Sequence, residues 1–142
     1  MISSRTPKDE EIFFKGSVFY CIDAELNSDK PHFFIIINND PINDGEIYLV
    51  CASSQIEKCK NRRKVFLNTL VEIKSFEYMH FTCDSIVDCN TIFIRTKTLI
   101  REKLRTGNMQ QKSPMDVAII KKIQRAAIYS GLIERYIKEK LK

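Results

Sequence analysis

The run His32-Phe33-Phe34-Ile35-Ile36-Ile37-Asn38 constrains this chain more than any other stretch. A strand with one wet face alternates apolar and polar side chains, and this one does not. At its length it suits a strand buried on both faces. Its apolar part, Phe33 to Ile37, is far too short to cross a bilayer, which takes about 20 residues. Lys8, Asp9, Glu10 and Glu11 stand where a signal peptide needs an apolar stretch. A cytoplasmic location with no membrane partner is therefore expected.

The flanking segments read as strands too. Gly16 introduces Ser17 to Asp23, rich in β-branched and aromatic side chains. Asn27, Ser28, Asp29 and Pro31 form a turn, and Asn39 to Gly45 is the clearest loop. Glu46 to Ala52 is a third strand. Beyond it, Val65 to Leu67, Leu70 to Lys74 and Tyr78 to Phe81 are short strand candidates. Ser85 to Asp88 then reads as a turn into a strand at Thr91 to Arg95. Several short strands with tight connections predict a small barrel or curled sheet.

The C-terminal third changes character. Ser113 and Pro114 predict a helix start, with Ser as N-cap and Pro at the first helical position. Val117, Ile120, Ile123 and Ala127 share one face at helical spacing. Gly131 reads as a cap or kink before a second short helix over Leu132 to Leu141. At 142 residues the expectation is one domain, with residues 1–14 a loose lead-in, 15–96 the strands and 113–142 the helices. The turn at Gly131 is too tight for a helix-turn-helix.

Residues 95–142 balance at +9 and residues 1–94 at −4, so the basic surface is C-terminal. Such a surface attracts polyanions. The five cysteines (Cys21, Cys51, Cys59, Cys83 and Cys89) are an odd number with no C-x-x-C pair. A zinc site normally brings paired ligands at short spacing, so reduced structural thiols are expected, with no metal and no cofactor.

One series goes further. It runs Gly16-Ser17-Val18-Phe19-Tyr20, then Lys30-Pro31 followed by His32 to Ile37, then the Asn39–Gly45 loop, and ends in Val50-Cys51-Ala52-Ser53-Ser54-Gln55. In order, strand length and terminal Ser-Ser-Gln it resembles the PemK/MazF family of toxin-antitoxin endoribonucleases. The resemblance covers about 40 residues well, from Gly16 to Gln55. It implies a mainly β (β+α) fold: a small SH3-like barrel with C-terminal helices packed on it, usually a homodimer. It also implies metal-independent cleavage of single-stranded RNA such as mRNA, inhibited by an antitoxin protein.

By position, the resemblance makes Lys30 and Ser53 the catalytic residues, with Ser54 and Gln55 beside them at the RNA groove. Lys30 stands where the family usually has Arg. Lysine lacks the planar fork that grips phosphate, but it can lose a proton when desolvated. Ser17 stands where an acidic residue is common, and the Ala24–Asp29 turn is short.

The chemistry agrees with those residue types. Cleavage through the 2′-hydroxyl needs a proton taken from that oxygen, charge stabilised on phosphorus, and a proton for the leaving 5′-oxygen. A cation at a strand mouth and a neighbouring hydroxyl supply the second of these. Lys58, Lys60, Arg62, Arg63 and Lys64 form a cationic loop just past the signature, suited to RNA phosphates. His32 is a further RNA contact that could serve beside Lys30. The two histidines invite comparison with ribonucleases that use one as base and one as acid, but His80, between Met79 and Phe81, reads rather as packed at a strand edge. Cys51 reads as core; Asn90 or Asp88 could shape the groove, but turn formation explains them adequately. The alternative function is an SH3-like nucleic-acid or protein binding module that does not cut.

Overall fold

A computed structural model describes residues 6–26, 28–64 and 67–142. Asn27 of the expected turn and Val65 and Phe66 of the first weak strand candidate lie outside the described residues. The chain opens with a short helix, α1 (Asp9–Ile12), in which the Glu11 carboxylate accepts from the Lys8 N–H at 3.0 Å. Ile12 and Phe13 are buried at its end, so the expected lead-in is anchored there rather than loose.

Three consecutive strands follow, each built from the β-branched and aromatic segments that favour extended chain: β1 (Val18–Cys21), β2 (His32–Ile36) and β3 (Ile47–Ser53). They are joined antiparallel, with Val18 opposite Ile35 and Phe34 opposite Cys51. Gly16 leads into β1 with φ +92, and a Cβ there would lie 3.1 Å from the Met115 carbonyl oxygen. Only glycine meets both conditions without strain.

The remaining elements are α2 (Ile56–Arg62), β4 (Leu70–Ile73), β5 (Ser85–Asp88), β6 (Phe93–Arg95), α3 (Lys97–Arg105), β7 (Met109–Lys112), α4 (Val117–Tyr129) and α5 (Arg135–Glu139). All pairings are antiparallel in one seven-stranded sheet ordered β4-β5-β3-β2-β1-β7. β6 pairs with the first half of β3 and β5 with its end. The domain is mainly antiparallel sheet with helices packed on it. The sheet is not closed: among the described residues no pairing joins its outer strands β4 and β7.

β2 is buried on both faces, as its apolar run requires. On one side Ile35 and Ile37 join Val18, Val50 and Val87 beneath Ile120, Ile123 and Ala127 of α4 and Ile137 of α5. On the other, Phe34 and Ile36 join Phe19, Leu49 and Phe93 against Phe13 and Ile100 of α3. Where the chain leaves β2, the buried Gln124 amide of α4 donates to the Ile37 carbonyl at 2.9 Å and seals that end.

Several expectations change. The cationic segment after β3 is a helix, α2, not a loop. Ser85–Asp88 is itself a strand, and the turn follows it. Tyr78–Phe81 is not a strand, because Tyr78 and Phe81 are both buried and a turn bond from the Phe81 N–H to the Tyr78 carbonyl brings them together. Helix α4 begins at Val117 with Asp116 as cap, its carboxylate accepting from the Ala118 N–H at 2.8 Å. Ser113 is engaged elsewhere: its carbonyl accepts from the Tyr78 hydroxyl at 2.6 Å and its Oγ meets His80 Nε2 at 3.2 Å.

Candidate functional site

The site follows from strand register. Residues directly opposite in an antiparallel pair point to the same face of the sheet. Cys21 lies opposite His32, Ser53 opposite Ile86, and Ile86 opposite Glu72. Phe33 pairs with Ala52, so the same register continued by one residue sets His32 across from Ser53. One row of the sheet therefore presents His32, Ser53 and Ile86 side by side. Asp88 and Cys51 point the same way from the neighbouring row.

This face is the one that carries Phe34 and Phe93, and α3 covers only part of it. Over the rest the chain folds back as α2. The Gln55 N–H donates to Ser53 Oγ at 3.1 Å, closing a tight turn directly after β3. Cys59 is the buried anchor of α2. Between α2 and the sheet lies a cavity of about 190 Å³. Cys51, Ile86 and Phe93 supply its apolar surface, while His32, Ser53, Gln55, Lys58, Arg62 and Asp88 supply polar groups.

Charge around the cavity is arranged about Asp88. Burial raises its carboxyl pKa, but hydrogen bonds from Asn90 and Arg63 outweigh that and hold it below the ordinary value. Arg63 Nε lies 2.9 Å from Asp88 Oδ2, and an Arg62 terminal nitrogen lies 3.4 Å from the same oxygen. Lys60 points away and pairs with Glu72. Lys58 forms no salt bridge among the described residues, so its charge is free for a ligand. The Cys51 thiol is pushed up to about 12 by burial, which removes it as a nucleophile.

His32 is oriented by its own strand. Its Nδ1 lies 3.0 Å from the Lys30 carbonyl oxygen. A carbonyl can only accept, so in the neutral ring Nδ1 carries the proton and Nε2 keeps a lone pair.

Of the sequence candidates, His32, Ser53, Gln55, Lys58 and Arg62 line the cavity. Lys30 is exposed in the turn before β2, outside the lining, with its N–H donating to Ser28 Oγ at 3.1 Å. Ser54 is exposed at the turn, and Lys60 and Arg63 are held by Glu72 and Asp88. His80 packs against Tyr78 and does not line the cavity. Sequence reasoning missed Leu26, Cys59, Thr91 and Phe93 in the lining, and preferred a turn-forming role for Asp88 to one in shaping the groove. The alternation in Ser85-Ile86-Val87-Asp88, read as a strand, was the one signal that pairs Asp88 with Ile86. Among the described residues, no group of His, Cys, Asp and Glu is arranged to hold a metal ion.

No family model matches the chain, and no curated protein matches it. Among solved structures it is similar to an endoribonuclease in complex with its cognate antitoxin from Mycobacterial species, at 13% identity and a TM-score of 0.48, over 81% of this chain and 88% of that one.

Proposed function

We propose that this protein is a metal-independent endoribonuclease that cuts single-stranded RNA, a toxin of PemK/MazF type held in check by an antitoxin that fills the same groove. The observation that carries the proposal is the cavity in which His32 of β2, Ser53 of β3 and Lys58 and Arg62 of α2 converge. These are residue types that a phosphodiester needs: a hydroxyl for a non-bridging oxygen, cations for the charge on phosphorus, and a titratable ring. Ser53 donates to the scissile phosphate, Lys58 and Arg62 flank it, and Lys30 contacts the backbone from the rim. Gln55 and Ser54 line the path of the strand, which continues past Lys60 and Arg63.

The position of Lys30 favours a second reading, a binding module that keeps the groove and does not cut. A single assay separates the two. Purified protein is incubated with long single-stranded RNA in EDTA, beside Ser53→Ala and Lys30→Ala. The ribonuclease reading predicts fragments ending in 2′,3′-cyclic phosphate and 5′-hydroxyl. Ser53→Ala should be slower by about 10–100-fold, the loss of one hydrogen bond to a charged group. Salt-dependent RNA binding with no cleavage would support the binding module and overturn the ribonuclease reading.

A further inference from the structure

We infer that His32, rather than Lys30, is the base that takes the proton from the attacking 2′-hydroxyl; this rests on the ribonuclease reading above. His32 lines the cavity and Lys30 does not. Its side chain shares a row of the sheet with Ser53, so a phosphate held by the Ser53 hydroxyl sits beside the ring. The bond between Nδ1 and the Lys30 carbonyl fixes both the ring plane and the tautomer, and leaves the Nε2 lone pair free to accept a proton. What the Lys30 position contributes is thus its backbone oxygen, which orients the imidazole.

The step balances simply. The 2′-oxygen gives its proton to Nε2 and bonds to phosphorus; the bond from phosphorus to the 5′-oxygen breaks. That oxygen takes a proton from water, and the imidazolium returns its own proton to the solvent. Lys58 and Arg62 stabilise the charge on the phosphorane throughout.

The other charged and titratable groups around the ring are Asp88, the cysteine thiols, Lys58 and Arg62. Asp88 is held as a carboxylate by Asn90 and Arg63 despite its burial. Burial raises the thiols of Cys21, Cys51 and Cys59, which keeps them protonated. Lys58 and Arg62 enter as cations.

The test is single-turnover cleavage of single-stranded RNA by the wild type, His32→Ala, His32→Asn and Lys30→Ala, each across pH 5 to 9. His32→Asn keeps a donor for the Lys30 carbonyl and removes the base, so it serves even where His32→Ala fails to fold. Both His32 variants should lose about 10²–10⁴-fold in rate while RNA affinity changes little. The wild-type rate should fall about tenfold per pH unit below the imidazole titration, and both variants should lack that limb. Added imidazole should restore part of the rate to His32→Ala. Cleavage by folded His32→Asn within about threefold of wild type, with the same pH profile, overturns the assignment and leaves the ribonuclease reading standing. A larger loss for Lys30→Ala than for either His32 variant also overturns it. No cleavage by the wild type overturns both.

Discussion

At the scale of single residues, Asp88 and Gly16 carry consequences outside the chemistry. Asp88 is held below its ordinary pKa in the fold, so its contribution to stability is present above the unfolded value, ~3.9, and fades as pH falls through the lower folded value. Asp88→Asn should therefore lose about 1.5–3 kcal/mol at pH 6 by denaturant unfolding, with the gap to wild type narrowing as pH falls through the lowered folded value. A gap that stays constant over that range would show that the hydrogen bonds of Asp88 do not depend on its charge. Gly16→Ala places a Cβ against the Met115 carbonyl at positive φ and should cost about 1–3 kcal/mol by the same measurement. The N-cap variant Asp116→Ala should cost about 1 kcal/mol, since it frees the Ala118 N–H at the start of α4.

At the scale of elements, legibility in the sequence divides by how local each cause is. β1, β2 and β3 were readable because their apolar and β-branched content decides their state without help. The same holds for α4, whose face of Ile120, Ile123 and Ala127 is written at helical spacing, although Val117, expected on that face, is exposed; its start was displaced by pairings of Ser113 with distant Tyr78 and His80. α3 and β7 were not foreseen. β7 reads Met-Gln-Gln-Lys, a segment with little strand propensity, and is a strand because the edge of β1 is there to pair with it. α2 was hidden by its charge: Lys58, Lys60 and Arg62 suggested a solvated loop, whereas one buried residue, Cys59, anchors it to the sheet. The candidate site was half legible for the same reason. Ser53, His32 and Lys58 lie on local motifs, but their meeting with Asp88, Thr91 and Phe93 depends on pairings between β3, β5 and β6.

At the scale of the molecule, the two faces of the sheet have different work. One is covered by α4 and α5 and closes the larger core; the other is covered by α3 over part of its area and by α2 across the cavity. No helix among the described residues is long and apolar enough to cross a membrane. RNA binding should weaken with salt, and because Lys58 has no salt bridge among the described residues while Lys60 is held by Glu72, Lys58→Ala should lower the slope of log K against log salt by ~0.7. Lys60→Ala should change it less; equal effects would mean that RNA displaces the Lys60–Glu72 pair. Everything proposed for this protein requires the cavity beneath α2 to cleave RNA through the 2′-hydroxyl. The most direct test is cleavage, in EDTA, of one single-stranded RNA made with and without a single 2′-deoxy nucleotide at the preferred linkage. Cutting of the all-ribose strand, no cutting at the deoxy linkage, and a loss of about 10–100-fold with Ser53→Ala are expected. Cutting at the deoxy linkage, or a rate untouched by Ser53→Ala, would contradict it.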